Sequence, residues 1–324
     1  MKTLKLRLPV YLVAALAFAS CKKQDNPVEK FKPERLSNVS AAGVVPPGYG
    51  LSNWMGAVSD NTSIAQMSIP GTHDSGARTE PIGGTAKCQN LSIAEQLSAG
   101  VRFLDIRCRH IDNAFAIHHG AIYQNLNFND VLNACISFLN SNPTETIIMS
   151  VKEEHTPSNN TRSFEQTFDS YVAQNSSKWD LGTGIPNLGT VRGKIKLLRR
   201  FGTGSPKGID ATAWADNTTF SINNSAANLK VQDFYNINDV NTKWTNVQTQ
   251  LNDAHNDTSN RLYLNFCSGY KPGLFGIPSI TTVSNFINPK VSTFFTNNTS
   301  GKYGVVILDF IDSSRSQLIA NTNF

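Results

Sequence analysis

Thr146-Ile147-Ile148-Met149-Ser150-Val151 is a run of apolar and small residues that ends at the charged triplet Lys152-Glu153-Glu154. A strand with one wet face alternates apolar and polar side chains. This run does not, so both its faces must meet apolar neighbours, as in a parallel sheet covered by helices. Amphipathic stretches flank it. Asn129 to Leu139 puts Val131, Leu132, Cys135, Ile136 and Leu139 on one helical face. Arg162 to Ala173 does the same with Phe164, Phe168, Tyr171 and Val172.

Further out the pattern repeats. Strands are predicted at Gln66 to Ile69 (ending at Pro70-Gly71), Phe103 to Arg109, Ala114 to His118, Lys194 to Leu198, Leu229 to Phe234, Arg261 to Phe266 and Gly304 to Phe310. Helices are predicted at Ser92 to Ala99, Trp244 to His255 and Ser314 to Ala320. Ser92 and Glu95 stand at capping-box spacing. Strands alternating with helices make an α/β fold, and the number of units fits a closed barrel better than a doubly wound sheet. No dinucleotide glycine fingerprint or phosphate loop is present. Asn-rich stretches such as Asn297-Asn298 read as solvated connections.

The first residues read as a leader. Lys2, Lys5 and Arg7 precede an apolar run from Leu8 to Phe18, and Ala19-Ser20-Cys21 closes it. This is the grammar of an export signal, too short for a membrane span. A cysteine after small residues resembles a bacterial lipobox. The expectation is a signal peptide at residues 1–20, a lipidated Cys21, a polar tether over residues 21–50 and a single catalytic domain over residues 51–324. A plain signal peptide cut nearby is the alternative. The protein is then exported, and either lipid-anchored to an envelope membrane or secreted.

The chain has 29 Lys and Arg against 24 Asp and Glu, and three of those cations fall in the leader. A nearly balanced domain lacks the basic footprint that nucleic acid requires. Cys88, Cys108, Cys135 and Cys267 show no short paired spacing of the zinc type, so neither metal nor cofactor is expected. An exported chain is able to pair them, but spacing does not give a pattern.

Polar residues collect at strand ends: His73 and Asp74 after Pro70-Gly71-Thr72, His119 after His118, Lys152 after Val151, Arg200 after Leu198, and Asp233 and Tyr235 after Val231. Asp105 and Arg107 lie two apart on one strand, hence on one face, where an unpaired charge is costly. Asp309 lies between Leu308 and Phe310. In a parallel barrel these ends converge on one rim. Each residue alone is more often structural; the convergence points to a site. Two histidines, carboxylates to orient them and an arginine suit phosphoryl transfer, with one ring taking a proton, the other giving one, and the guanidinium holding phosphate oxygens. A Ser-His-Asp hydrolase competes, but the sequence has no Gly-x-Ser-x-Gly elbow.

Ser68-Ile69-Pro70-Gly71-Thr72-His73-Asp74-Ser75, Asp105-Ile106-Arg107 and His118-His119-Gly120 resemble the X region of bacterial phosphatidylinositol-specific phospholipase C. The resemblance continues in order through Glu145 to Lys152, Arg192-Gly193-Lys194-Ile195, Val231 to Tyr235, Leu262 to Phe266 and Val306 to Ile311. It implies a distorted TIM-type (β/α) barrel and calcium-independent cleavage of phosphatidylinositol, or a related inositol phospholipid, at a membrane surface by a monomer. It implies His73 as general base oriented by Asp309, His119 as general acid assisted by Asp74, Arg107 on the phosphate and Asp105 supporting it. Lys152, Arg200 and Asp233 would bind inositol hydroxyls, and Tyr235 would stack under the ring. Diacylglycerol leaves and inositol 1,2-cyclic phosphate forms. Two departures stand out. Cys108 replaces a usual glycine, facing away from the site by alternation. The loop Gly76 to Asn90 lacks the exposed tryptophan of some relatives, whereas Leu274, Phe275 and Ile277 are candidates to touch lipid. Phosphodiesters of the glycosylated (GPI) type and a non-catalytic lipid-binding module are the competing readings.

Overall fold

The computed structural model describes residues 43–324, so the proposed leader, Cys21 and most of the tether lie outside the described residues. The strands are β1 (Ser68–Thr72), β2 (Phe103–Ile111), β3 (Ala114–His119), β4 (Ile122–Asn127), β5 (Ile147–Glu153), β6 (Trp179–Asp180) and β7 (Ile195–Arg200). They continue with β8 (Ile209–Asp210), β9 (Thr219–Asn223), β10 (Asn228–Gln232), β11 (Arg261–Phe266), β12 (Lys271–Pro272), β13 (Pro278–Ser279) and β14 (Gly304–Leu308). The helices are α1 (Ile93–Ser98), α2 (Phe128–Ser141), α3 (Phe164–Gln174), α4 (Leu188–Val191), α5 (Val240–Asn256), α6 (Ile280–Asn297) and α7 (Ser313–Asn321).

Strands β7, β5, β2, β1, β14, β11 and β10 pair in that order, all parallel, with β6 and β8 beside β7 at one edge and antiparallel β9 at the other. No ladder joins β8 to β9 among the described residues, so the barrel is open there: a distorted (β/α) barrel. Hairpin strands β3 and β4 extend β2 antiparallel.

Period-two alternation sorts the side chains. Ile69, Phe103, Ile148, Leu198, Val231, Phe266, Val305 and Ile307 share the apolar cluster inside the barrel. Leu104, Ile106, Cys108, Met149, Val151, Val306 and Leu308 share the second cluster, with residues of α2, α3, α5 and α6. Both faces of β5 are thus buried, as its unalternating run requires. Cys108 faces out, as expected. A Cβ at Gly71 would meet Phe103 at 3.1 Å and Ile307 at 3.2 Å, so a larger residue there would have to push these buried side chains aside by a few tenths of an ångström.

Several boundaries differ from the reading of the sequence. β1 begins at Ser68, since Ile64–Gln66 forms a 3-10 turn capped by Ser63. β14 stops at Leu308, leaving Asp309 just beyond the strand. The long helix α6 went unread: Pro289 and many Thr, Ser and Asn residues mask its periodicity. Asn297 ends that helix, and Asn298 caps it through Nδ2 to the Phe294 carbonyl at 2.7 Å, so this pair is not a solvated connection. Residues 43–50 do not all belong to a tether either. Val45 is buried, and its N–H donates to Asn321 Oδ1 at 3.2 Å. Cys88, Cys108, Cys135 and Cys267 are all buried free thiols.

Candidate active site

On strand after strand, the inward apolar series ends in a chemically able residue. Ile69 and Gly71 lead to His73; Phe103 leads to Asp105 and Arg107; Ile148 and Ser150 lead to Lys152. Leu198 leads to Arg200, Val231 to Asp233, and Val305 and Ile307 to Asp309. Because the strands are parallel, all these residues reach the same end of the barrel. A cavity of about 490 Å³ opens there, lined by His73, Arg107, His119, Lys152, Arg200, Asp233 and Tyr235 among others. Asp74, Asp105 and Asp309 are buried behind it.

His73 Nδ1 lies 2.8 Å from Asp309 Oδ1, and Arg107 Nη2 lies 2.9 Å from His73 Nε2. A guanidinium only donates, so Nε2 accepts and Nδ1 carries the hydrogen given to Asp309. This arrangement leaves a basic lone pair at Nε2. Burial opposes charge on the ring, but Asp309 outweighs it, and His73 titrates above its ordinary value. Asp309 is fixed by its surroundings: its carbonyl accepts from Asn288 Nδ2 of α6 at 2.9 Å. Gln89 Nε2 donates to the carbonyls of both His73 (2.9 Å) and Leu308 (2.8 Å), tying the two strand ends together.

Arg107 Nε donates to Asp105 Oδ2 at 3.1 Å, the ion pair their spacing required. Asp105 also accepts the Asp74 N–H at 3.2 Å and the Ser150 hydroxyl at 3.3 Å. Burial would raise its carboxyl pKa, but Arg107 and Arg200 hold it well below the usual range. Asp74 sits in a left-handed turn (φ 37°). Neither of its buried carboxylate oxygens has a hydrogen-bond partner among the described residues. Burial pushes its pKa up despite Arg107, whose Nε is 3.8 Å away, and the two histidines.

His119 Nδ1 bonds the Ala86 carbonyl at 2.6 Å, while Asp74 Oδ2 is 3.9 Å away. The direct partner of this ring is therefore a loop carbonyl, and Asp74 lies in its second ring of neighbours. The reason is the loop after residue 80, which folds Ala86 in over the end of β3. The carbonyl fixes hydrogen on Nδ1 and leaves Nε2 free to carry and release a proton.

The far side of the cavity is polar. Lys152 Nζ pairs with Glu154 Oε2 at 2.8 Å. Arg200 lies over the Trp214 ring, 3.6 Å from its centroid, with Nη1 3.6 Å from Asp105 Oδ1. Its buried Nε and Nη1 have no hydrogen-bond partner among the described residues. Asp233 Oδ2 accepts from Trp214 Nε1 at 2.9 Å, and Tyr235 donates its hydroxyl to Asp216 Oδ1 at 2.7 Å.

Trp214 and Asp216 were not singled out in the sequence, because they sit in a loop between β8 and β9 without a strand end to mark them. Glu154 stands in the sequence only as the last of the charged triplet after Val151. Yet it touches Lys152, stands 4.0 Å from Arg107 Nη1 and accepts the Gly120 N–H at 3.0 Å. Two donor sets have ligand atoms within 4.8 Å of one another: His73, Cys88 and Asp309, and Asp74, Cys88 and His119. Both lie beside Arg107, whose fixed charge repels a second cation.

Residues 67–201 match the family model described as phosphatidylinositol-specific phospholipase C, X domain. The chain is similar to 1-phosphatidylinositol phosphodiesterase of Staphylococcus aureus (strain Newman), with 34% identity over 275 residues, 80% of this chain and 88% of that protein. Among solved structures, a Staphylococcus aureus phosphatidylinositol-specific phospholipase C, studied for modulation of its membrane binding, superposes with a TM-score of 0.75 at 31% identity, covering 85% of this chain and 98% of that one. The Listeria monocytogenes enzyme superposes with a TM-score of 0.70 at 30% identity, covering 85% and 100%.

Proposed function

The chain belongs to the bacterial phosphatidylinositol-specific phospholipase C family, and from that membership we propose that it cleaves phosphatidylinositol to diacylglycerol and inositol 1,2-cyclic phosphate. The observation that carries the reading is the linear set Asp309–His73–Arg107, at 2.8 and 2.9 Å, facing the same cavity as His119.

The chemistry follows from those contacts. A phosphate oxygen draws the Arg107 guanidinium off His73 Nε2, which exposes the lone pair. The inositol 2-hydroxyl gives its proton to Nε2, and its oxygen attacks phosphorus. Asp309 stabilises the imidazolium that forms. As the bond to the glycerol oxygen breaks, His119 Nε2 supplies the proton that oxygen needs. Each proton transfer contributes roughly 10²–10⁴ in rate. Charge growing on the phosphate meets Arg107, which Asp105 holds in place. Asp74, buried beneath His119 and Arg107, offers a carboxylate to both. Arg200, Lys152 and Asp233 offer donors and acceptors for inositol hydroxyls, and Tyr235 a face for the ring.

The rim supports action at a membrane surface. Phe275 is 94% exposed, and Ile277 and Ile82 are also exposed. Their loops border the cavity through Gly276, Pro278 and Thr85. The proposed setting is an exported monomer anchored through Cys21; metabolic labelling with a radioactive fatty acid, lost in Cys21→Ser, tests the anchor.

The decisive assay is phosphorus NMR of purified protein acting on phosphatidylinositol micelles with a chelator present. Cyclic phosphate should appear first. Binding without turnover would instead support the non-catalytic module, and turnover restricted to glycosylated inositol lipids the alternative substrate.

A further inference from the structure

We propose that Glu80 is a positioning residue for the general acid, acting through the loop that supplies the Ala86 carbonyl to His119; this rests on the reading of His119 given above. The loop from residue 78 to residue 91 has neither helix nor strand, yet its geometry sets the orientation of a catalytic ring. Its organiser is one carboxylate. Glu80 Oε1 accepts the Gly84 N–H at 2.8 Å. Its Oε2 accepts those of Thr85 (3.0 Å), Ala86 (3.1 Å) and Lys87 (2.9 Å). Four successive backbone donors thus converge on a single anion, as they do around bound anions. Hydrogen bonds to a charged acceptor are the strong ones. Those four bonds hold the Glu80 pKa below its ordinary value against the opposing effect of partial burial.

The winding around Glu80 has two outputs. Gly84, with φ +82°, turns its carbonyl to accept the Ile280 N–H at 2.9 Å at the start of α6. Ala86, whose N–H is held by Glu80, presents its own carbonyl to His119 Nδ1 at 2.6 Å. The Lys87 N–H, also held by Glu80, belongs to the same peptide unit as the Ala86 carbonyl, so the carboxylate fixes the very peptide unit that sets the tautomer of His119. Glu80 does not line the cavity, so it touches no substrate. Without it, the four N–H groups turn to water and the carbonyl drifts. His119 Nδ1 then loses the acceptor 2.6 Å away that fixes its tautomer, and the ring is no longer held towards the leaving group.

A general acid matters in proportion to how poor the leaving group is. The test compares two soluble inositol phosphodiesters, one with an alkyl and one with a p-nitrophenyl leaving group. Glu80→Ala should lower kcat on the alkyl substrate by roughly tenfold or more, with KM nearly unchanged, and on the p-nitrophenyl substrate by less than about threefold. Glu80→Gln keeps one acceptor oxygen and should fall between. In a His119→Ala background, Glu80→Ala should cost nothing further, because its effect runs through that ring. Equal losses on both substrates, or an undiminished loss in the His119→Ala background, overturn the proposal, as does an unchanged kcat. A wild-type protein that makes no cyclic phosphate from the alkyl substrate would instead overturn the proposed activity itself. Thermal melting of both Glu80 variants separates loss of fold from loss of position.

Discussion

Arg107 Nη2 donates to His73 Nε2 across 2.9 Å, so the cation proposed to bind phosphate and the proposed general base are each other's partner. In the proposed mechanism substrate phosphate separates them, and the base becomes available only when the anion is in place. This couples proton abstraction to correct seating of the phosphodiester. The charge on Arg107 also opposes protonation of that ring, against the pull of Asp309.

Arg107→Lys tests this coupling. An ammonium is a point charge and cannot hold Asp105, the imidazole and two phosphate oxygens in one planar fork. The expected loss is about 10²–10³ in kcat on a soluble substrate, with a small change in KM. Steady-state kinetics check it; a loss below about tenfold would mean that positive charge alone suffices.

Asp309→Asn should shift the acid limb of the pH profile. Asp309 offsets the burial penalty and raises the His73 pKa above its ordinary value. The base works only when deprotonated, so activity rises as pH climbs through that pKa. Loss of the carboxylate lowers the pKa, and the acid limb of kcat/KM moves to lower pH while kcat falls. An acid limb that stays in place assigns it to another group.

Phe275→Ser combined with Ile277→Ser should separate membrane docking from chemistry. Both side chains are exposed at the rim, and burying such side chains in lipid contributes roughly 1.5–3 kcal/mol each. Vesicle sedimentation should show weaker binding and lower turnover on vesicles, with kinetics on a soluble inositol phosphodiester unchanged. Equal loss on both substrates would place these residues in the cavity's own architecture.

Glu154→Gln should flatten the acid end of the stability profile. Burial opposes ionisation of Glu154, but Arg107 and Lys152 lower its pKa from 4.5 to about 2. A depressed folded-state value means its contribution is present above the unfolded value and is lost as pH falls towards about 2. Urea midpoints measured between about pH 5 and pH 2 should therefore change less in the variant than in the wild type.

Glu145→Gln should damage the fold and not the chemistry. Arg102 and Glu145 are both fully buried, joined at 2.8 Å by Arg102 Nε and Nη2 to Glu145 Oε2. Removing one charge leaves the other uncompensated, at about 3–5 kcal/mol. Denaturant unfolding should show that loss, with kcat unchanged under conditions where the variant is folded.

Much of the architecture was legible because burial leaves a periodic trace. Thr146 to Val151 announced a strand covered on both faces, and the alternation Phe103, Asp105, Arg107 placed two charges inside the barrel. The trace fails where backbone bonds or single loops decide the matter. Helix α6 hid behind Pro289 and its polar residues. Trp214 came to the cavity on a loop whose course no periodicity records. The nearest acceptor to His119 is Ala86, reached by a turn wound on Glu80, and a backbone carbonyl has no signature in a sequence at all.

The order of side chains along the strands settled by itself that this chain is an α/β protein with histidine, arginine and carboxylates at strand ends, because alternation and burial are local consequences of residue type. Only the tertiary structure decided which of those groups touch: that Arg107 caps His73, that Ala86 and not Asp74 meets His119 Nδ1, and that Trp214 joins Arg200 to Asp233. Contacts within the site run between residues as far apart in the chain as His73 and Asp309, 236 positions. Hydrogen bonds are decided over tenths of an ångström, a distance that strand periodicity does not encode.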